Sequence, residues 1–521
     1  MSSKQLARNI GSMSIAVFLS RLLGLIRDIF MTNFFGTTYV ADAFQVAYQI
    51  PNLLRKLFGE GALSAAFVPV YNEYGIRKGS KEQLNFALNV LSLLSLFLIF
   101  LCVLGILLAP FILNVIAPGF SGKTYDLALK LTRLLFPYLF LIGMSSTLIS
   151  ILNSHDYYFI PGLSSAFLNL AMIGSLGIYI LLIESSTIEQ KVTVWSLGVL
   201  VGGVLQTVIN FPLLKKLNYR IKIILRLNSE GLKSVWTRFI PGVLGIAVRQ
   251  INLWVDIILA SLLTTGSIAA LSYGNRLMQL PLGIIGVSAG VAVLPMFSRY
   301  VAANKWGELK ENLKFSIMFI ALIMFPVTAF LAGSGRDIIR LVFMRGAFDQ
   351  LSLEMTYQAL FYYSLGLFFY SANRLLIPIF YAKKNTKTPV IIASGITILN
   401  IVLNIILMRF LKHAGLALAT AISSFCQFFV LRKVISRKIP ELVFPKIFWN
   451  IFKVFVISLI MYFIILYLGR YYSVDSWIKG LVKLFVLGII SIIFYLIAIR
   501  ILKIDYSAKA LNILWKKFLR K

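Results

Sequence analysis

Seven charged side chains in one apolar stretch set the chemistry open to this chain. Residues 20–60 read SRLLGLIRDIFMTNFFGTTYVADAFQVAYQIPNLLRKLFGE and hold Arg21, Arg27, Asp28, Asp42, Arg55, Lys56 and Glu60. A charge at the centre of a membrane-spanning helix costs roughly 2.5–3.5 kcal/mol on insertion scales, so such groups face a wet interior, not lipid. Arg21 stands about twelve residues into its span, roughly 18 Å at 1.5 Å per residue, and Arg27 lies about 9 Å beyond it and about 120° around the helix. That spacing cannot grip one small carboxylate side by side. With Arg55, Arg276 and, further along the wall, Arg374, it can hold a larger anion. A guanidinium donates two parallel hydrogen bonds to a phosphate, and a pyrophosphate would meet this need. The alternative use of the same residues is structural, with Arg27–Asp28 and Arg55–Glu60 as ion pairs. Asp42 and Glu60 could orient the arginines, gate a cavity or carry a proton.

These residues need long apolar helices to position them, and the composition supplies them. The chain has 521 residues, 59% hydrophobic, with a mean hydropathy of +0.86. Many runs approach the roughly 20 apolar residues that cross a bilayer, and fourteen spans are expected, an all-α polytopic membrane protein. The second expected span, 38–74, is too long for one straight crossing, and Pro51 with Gly59 and Gly61 is expected to break or bend it. No cleaved signal is expected at the N-terminus. Cys102 and Cys426 sit in apolar runs, and His155 and His413 fall at different helix ends, so neither a disulfide framework nor a catalytic or zinc constellation is expected. No GxxxxGK[ST] occurs.

The net charge of +32 is a matter of topology. Segments on the N-terminal side of the expected spans hold 31 of the 51 Lys and Arg. The positive-inside rule therefore places both termini in the cytoplasm, with the excess facing anionic head groups and no nucleic acid expected. The chain also repeats. Pro69 and Tyr74 recur 226 residues on as Pro295 and Tyr300, Pro161 recurs as Pro389, and LNL at 168–170 recurs as LNI at 399–401. Six spans per copy is an even number, so the copies run parallel, related by a pseudo-twofold axis along the membrane normal. The expected organisation is a six-helix bundle at 1–214, a basic cytoplasmic linker at 215–238, a second bundle at 239–431, two further helices at 447–499 and a basic tail at 500–521. Two bundles with a polar, cationic cleft suggest an alternating-access transporter. In the second copy Asp256, Asn400, Asn404 and Thr420 offer a carboxylate, two amides and a hydroxyl, a donor set for a hard cation such as sodium; a local ion pair of Asp256 with Arg249 is the simpler use.

The motifs RLLGLIRD (21–28), ADAF (41–44), IPNLLRKLFGEGALSAAFVP (50–69), APGF (117–120), GNRLMQLPLGIIGVSAG (274–290) and KHAGLALA (412–419) closely resemble the MurJ (MviN) family, over essentially the whole chain. These are lipid II flippases of the multidrug/oligosaccharidyl-lipid/polysaccharide exporter superfamily. The resemblance implies that the chain moves the undecaprenyl-pyrophosphate-linked peptidoglycan precursor, lipid II, from the inner to the outer leaflet of the bacterial cytoplasmic membrane. It carries the family's cavity arginines onto Arg21, Arg27, Arg55 and Arg276, and its important acids onto Asp42 and Glu60. It implies a groove for the lipid tail at 447–499, and a sodium site at Asp256, Asn400, Asn404, Thr420 and a carbonyl near Leu416. Two departures stand out: Asn275 and Asn404 occupy positions where some relatives carry an acid. No cofactor beyond a sodium ion is expected, and the expected partners are lipid II, membrane lipids and the cell-wall synthesis machinery, with the chain acting as a monomer. The competing expectations are a flippase for another lipid-linked oligosaccharide and a cation-coupled drug antiporter, whose cavity would be dominated by acids instead of arginines.

Overall fold

A computed structural model describes residues 3–56, 62–219, 222–439, 442, 445–472, 476–504 and 506. Glu60, Gly59 and Gly61 lie outside them. The described residues form helices joined by short turns, with no strand among them. Ten helices or joined helices are long and apolar enough to cross a membrane, and a pair bent by 42°, Gln350–Leu365 and Leu367–Ala382, makes an eleventh if taken as one span. Helices also stand at the other three expected places, and these carry Arg21, Arg27, Asp28, Asp42, Arg55 and Asp256. Large apolar side chains such as Phe100, Leu107 and Phe111 are exposed on the outside of the helices, far beyond what a water-facing surface tolerates. The protein is a multi-pass membrane protein.

The first of two compact units comprises residues 1–269 with 345–348. Its helices are α1 (Ser3–Phe35), α2 (Tyr39–Arg55), α3 (Ala62–Lys78), α4 (Ser80–Leu107), α5 (Ala109–Ile116), α6 (Gly122–Leu135), α7 (Pro137–Ser154), α8 (Phe159–Leu182), α9 (Ile188–Val208), α10 (Phe211–Lys216) and α11 (Glu230–Ser261). The expected span 38–74 is carried by two helices, α2 and α3: Pro51 lies inside α2, which runs four residues past it to Arg55, and Gly59 and Gly61, named with it, lie outside the described residues. A proline removes one rung of the ladder, and here Ile50, Pro51 and Asn52 are all buried by neighbours that hold the turn in place. Helices α8 and α9 touch backbone to backbone through Gly198 and Gly202, one turn apart. A Cβ on Gly198 would overlap the Ser175 hydroxyl, and one on Gly202 would sit 2.8 Å from Leu168 Cα. With little hydrophobic drive between helices in lipid, such small-residue approaches supply the packing.

The expected basic linker is partly structure. Residues 222–227 run extended along α4: Asn89 accepts the Arg226 N–H at 2.7 Å and donates to the Arg226 carbonyl at 3.0 Å, and Ser92 accepts the Ile224 N–H at 3.1 Å. Ile223, Leu225 and Leu227 project outward, exposed. Helix α11 then packs along α3 and places Leu232, Val235 and Phe239 in the same core as Phe67, Tyr71 and Phe86. The first helix of the second sequence copy thus belongs by contact to the first unit.

The second unit comprises residues 270–344 and 349–521. Helix α12 (Ser267–Pro281) leads through a π-helical stretch (Leu282–Val287) into α13 (Ser288–Ala302), followed by α14 (Trp306–Phe343), α15 (Gln350–Leu365), α16 (Leu367–Ala382), α17 (Lys387–Leu411), α18 (His413–Lys438), α19 (Pro445–Gly469) and α20 (Trp477–Ile501). The repeat is visible in these bounds: α12, α14, α15, α16 and α17 begin 226–230 residues after α2, α4, α6, α7 and α8. Helices α19 and α20 lie outside the repeat and dock on α14. Tyr495 donates to the Leu322 carbonyl at 2.7 Å, and Lys483 Nζ sits 2.9 Å from Asp337 Oδ2 with only 7% and 16% of the two side chains exposed. Removing one partner of such a pair strands the other. Lys483→Ala is therefore expected to cost about 3–5 kcal/mol and to lower the melting temperature of the purified protein, while Lys483→Met with Asp337→Leu recovers most of the loss. A double variant as unstable as the single one would contradict this.

Candidate functional site

The charged stretch of the first unit is distributed over two helices. Arg27 and Asp28 pair with each other: Nη2 and Nε donate to the same Oδ1 at 2.7 and 3.2 Å, with 12% and 8% of the side chains exposed. The structural pairing read from their adjacency is thus present. It uses two of the five guanidinium donors and leaves others for an anion. Tyr48 and Tyr138, whose rings lie 6.1 Å apart, are close enough to Arg27 to act on it electrostatically. Arg21 is exposed on α1, in the turn below Gly24, and Asn169 of α8 donates to the Ser20 carbonyl at 3.2 Å beside it. Arg55 is the last residue of α2 and half-buried; its expected partner Glu60 lies outside the described residues.

Asp42 serves a different purpose from those read from the sequence. It is 3% exposed, and its carboxylate is turned onto backbone instead of an arginine: Oδ2 accepts the Gly266 N–H at 2.6 Å and Oδ1 the Ala269 N–H at 2.8 Å. These are donors at the start of α12, which the helix itself cannot satisfy, and a negative charge is favoured at that end of the helix dipole. The turn is tight. Gly266 has φ +89°, and a Cβ there would overlap the Thr37 carbonyl. Alongside, the Ala347 N–H donates to the Asn33 carbonyl at 2.8 Å. Residues 33–42, 264–269 and 345–348 thereby form one hydrogen-bonded cluster at the ends of α1 and α11. Gly266→Ala is expected to cost at least about 1–2 kcal/mol from the left-handed backbone alone, read as a lower melting temperature; an unchanged value would mean that the turn relaxes freely. Sequence reasoning missed Gly266, although a glycine directly before a helix-starting serine was the available signal.

In the second unit Arg276 on α12 and Arg374 on α16 are both exposed. Asn275, the first departure noted in the sequence, accepts from Gln279 at 3.4 Å. Asp256 lies on α11 in the first unit, and the Arg249 side chain is outside the described residues. Asn400 and Asn404 are buried on one face of α17, as their spacing requires, but Asn404 Nδ2 donates to Asn400 Oδ1 at 3.2 Å, and the Thr420 hydroxyl donates to the Leu416 carbonyl at 3.0 Å. The Asn400 oxygen and the Thr420 hydroxyl thus take part in hydrogen bonds within α17 and within α18. Among the described residues no three His, Cys, Asp or Glu side chains cluster for a metal.

The family model described as lipid II flippase MurJ matches residues 31–490. The chain belongs to the MurJ family. A MurJ relative from Buchnera aphidicola subsp. Acyrthosiphon pisum, named a probable lipid II flippase, is 32% identical over 97% of this chain and 98% of its own length. The lipid II flippase MurJ of Burkholderia cenocepacia is 32% identical over 78% of this chain and 79% of its own. A solved MurJ structure, titled as the inward closed conformation, aligns with a TM-score of 0.77 at 30% identity, covering 94% of this chain and 99% of that one. An inward-facing multidrug resistance transporter, titled as a member of the MATE family and the MOP superfamily, aligns at a TM-score of 0.65 and 16% identity over 82% of this chain, a likeness of fold. MurJ proteins are transporters, and the absence of a converging catalytic group in the sequence accords with that.

Proposed function

We propose that this chain flips lipid II, the undecaprenyl-pyrophosphate-linked peptidoglycan precursor, from the inner to the outer leaflet of the bacterial cytoplasmic membrane by alternating access. The observation that carries this reading is the 32% identity to a MurJ relative along 97% of the chain. The residues supply the chemistry. The pyrophosphate is the densest charge on the substrate, and Arg21, Arg27, Arg55, Arg276 and Arg374 offer planar forks that bind phosphate oxygens in pairs. The polyprenyl tail stays in lipid and needs a lateral path, for which α19 and α20 are the candidates. Both termini face the cytoplasm in this reading, on the distribution of Lys and Arg. With the inside negative, outward passage of the doubly charged head is favoured by about 2.3 kcal/mol per charge per 100 mV, and return of the empty cationic site is favoured too.

The test is rescue of bacteria depleted of their own lipid II flippase, read as growth and as exposure of lipid II on the outer leaflet. Rescue that weakens when the potential is collapsed is the expected result. A well-expressed chain that does not rescue would favour another lipid-linked oligosaccharide as substrate. Sodium at Asp256, Asn400, Asn404, Thr420 and the Leu416 carbonyl is a separate proposal. It requires the Asn404 amide to turn away from Asn400, and predicts stabilisation of the purified protein by sodium over choline that Asn400→Ala removes.

A further inference from the structure

At one end of the second unit the last turns of α16 and α18 come together over the turn that starts α17. They enclose a cavity of about 360 Å³, near the small end of the roughly 300–1,000 Å³ that small-molecule sites occupy. Its floor is apolar and buried: Ile379 and Phe380 from α16, Ile435 and Ile439 from α18. Its rim is cationic, with Lys383 and Lys438 on either side of Asn385.

The rim is held in place. Lys383 Nζ lies over the Trp306 ring, 5.0 Å from its centre. Lys438 Nζ donates to Thr388 Oγ1 at 3.0 Å, and Asn385 clasps the same residue, accepting the Thr388 N–H at 3.0 Å and donating to Thr388 Oγ1 at 2.9 Å. No acidic partner of either lysine occurs among the described residues. An ammonium has three donors, so Lys438 can keep Thr388 and still bind an anion. Lys384, Lys387, Lys433 and Arg437 lie within five residues of Lys383 or Lys438 in the sequence, and segments 383–387 and 433–438 hold no acid.

A soluble polyanion needs such a rim but has no use for four apolar side chains beneath it. A neutral lipid could use the floor but not the rim. Both are matched by an amphiphile with a phosphate at its polar end, and basic pockets between helices on the cytoplasmic side are where anionic head groups bind. We propose that this cavity binds an anionic phospholipid of the inner leaflet. The phosphate lies between Lys383 and Lys438, and the first part of the acyl chains lies on Ile379, Phe380, Ile435 and Ile439. The assignment of the leaflet rests on the cytoplasmic placement of both termini; the binding itself does not depend on the flippase reading, because none of these residues is among the arginines given to lipid II.

The test uses the full-length chain in detergent, with phosphatidylglycerol as probe and phosphatidylcholine as the zwitterionic control. Retained lipid is read by native mass spectrometry and stabilisation by thermal unfolding. The expected result is selective retention of phosphatidylglycerol by wild type, weakened about tenfold or more in Lys383→Gln/Lys438→Gln through loss of two charge-assisted contacts. The charge-matched control Lys233→Gln/Lys310→Gln keeps wild-type retention. Equal retention in the pocket variant and wild type would overturn the proposal. Equal stabilisation by inorganic phosphate or glycerophosphate would overturn the lipid as source and leave a soluble-anion site. Neither readout involves flipping, so a chain that fails to rescue cells can still bind the lipid here, and the reverse.

Discussion

Arg27→Ala is expected to abolish rescue of flippase-depleted cells. Only 12% of the Arg27 side chain is exposed, and its pairing with Asp28 fixes it while leaving donors for phosphate. Losing a buried charge partner of the substrate costs about 2–5 kcal/mol, at least about thirtyfold in affinity. The same substitution also removes the Arg27 partner of Asp28, which is 5% exposed, so a loss of folded protein has to be separated from a loss of substrate binding. The double variant Arg27→Ala/Asp28→Ala separates the two effects: it should restore the level of folded protein in the membrane without restoring rescue. Arg27→Lys keeps a charge but not the fork, and is expected to fall between. Full rescue by the double variant would remove Arg27 from the substrate site.

Asp42→Ala is expected to produce a large loss of stability in the first unit. Two hydrogen bonds to a buried carboxyl group disappear, each worth about 0.5–3 kcal/mol, and the Gly266 and Ala269 N–H groups are left without that acceptor. Asp42→Asn retains one oxygen and is expected to lose roughly half as much. The measurement is thermal unfolding of the purified variants, together with their yield in membranes. A melting temperature within a degree of wild type for the alanine variant would show that the start of α12 does not depend on this residue.

Apolar run length and the recurring prolines are local or periodic signals, and each had its counterpart in the folded chain. The helix starts of the second copy follow those of the first at the offset that Pro69 and Pro295 mark. The Arg27–Asp28 pair was equally legible, since neighbours in sequence need no tertiary information to meet. What escaped depends on contacts far apart in the chain. Asp42 is satisfied by backbone more than 220 residues away, and nothing in ADAF announces a partner that is not a side chain. Asn400 and Asn404 were correctly placed on one face, but whether two amides there face a cation or each other is a matter of rotamers. The packing of α11 on α3 escaped as well, because a repeat predicts like neighbours for like helices and tertiary packing overrode it.

The extended run at 222–227 has a bearing on how this protein would respond to a protease. Lys222 and Arg226 lie in the most basic stretch of the chain and would be counted as open tryptic sites. Cleavage needs a length of backbone free to enter the enzyme, and such freedom comes only from local opening. Here Asn89 and Ser92 hold that backbone against a helix, while Ile223, Leu225 and Leu227 face outward with an apolar surface suited to lipid. Trypsin added at the side of the membrane on which this stretch lies should therefore cut it slowly in intact membranes, and quickly once Asn89→Ala releases the segment. A topology map drawn from protease sensitivity alone would misplace it.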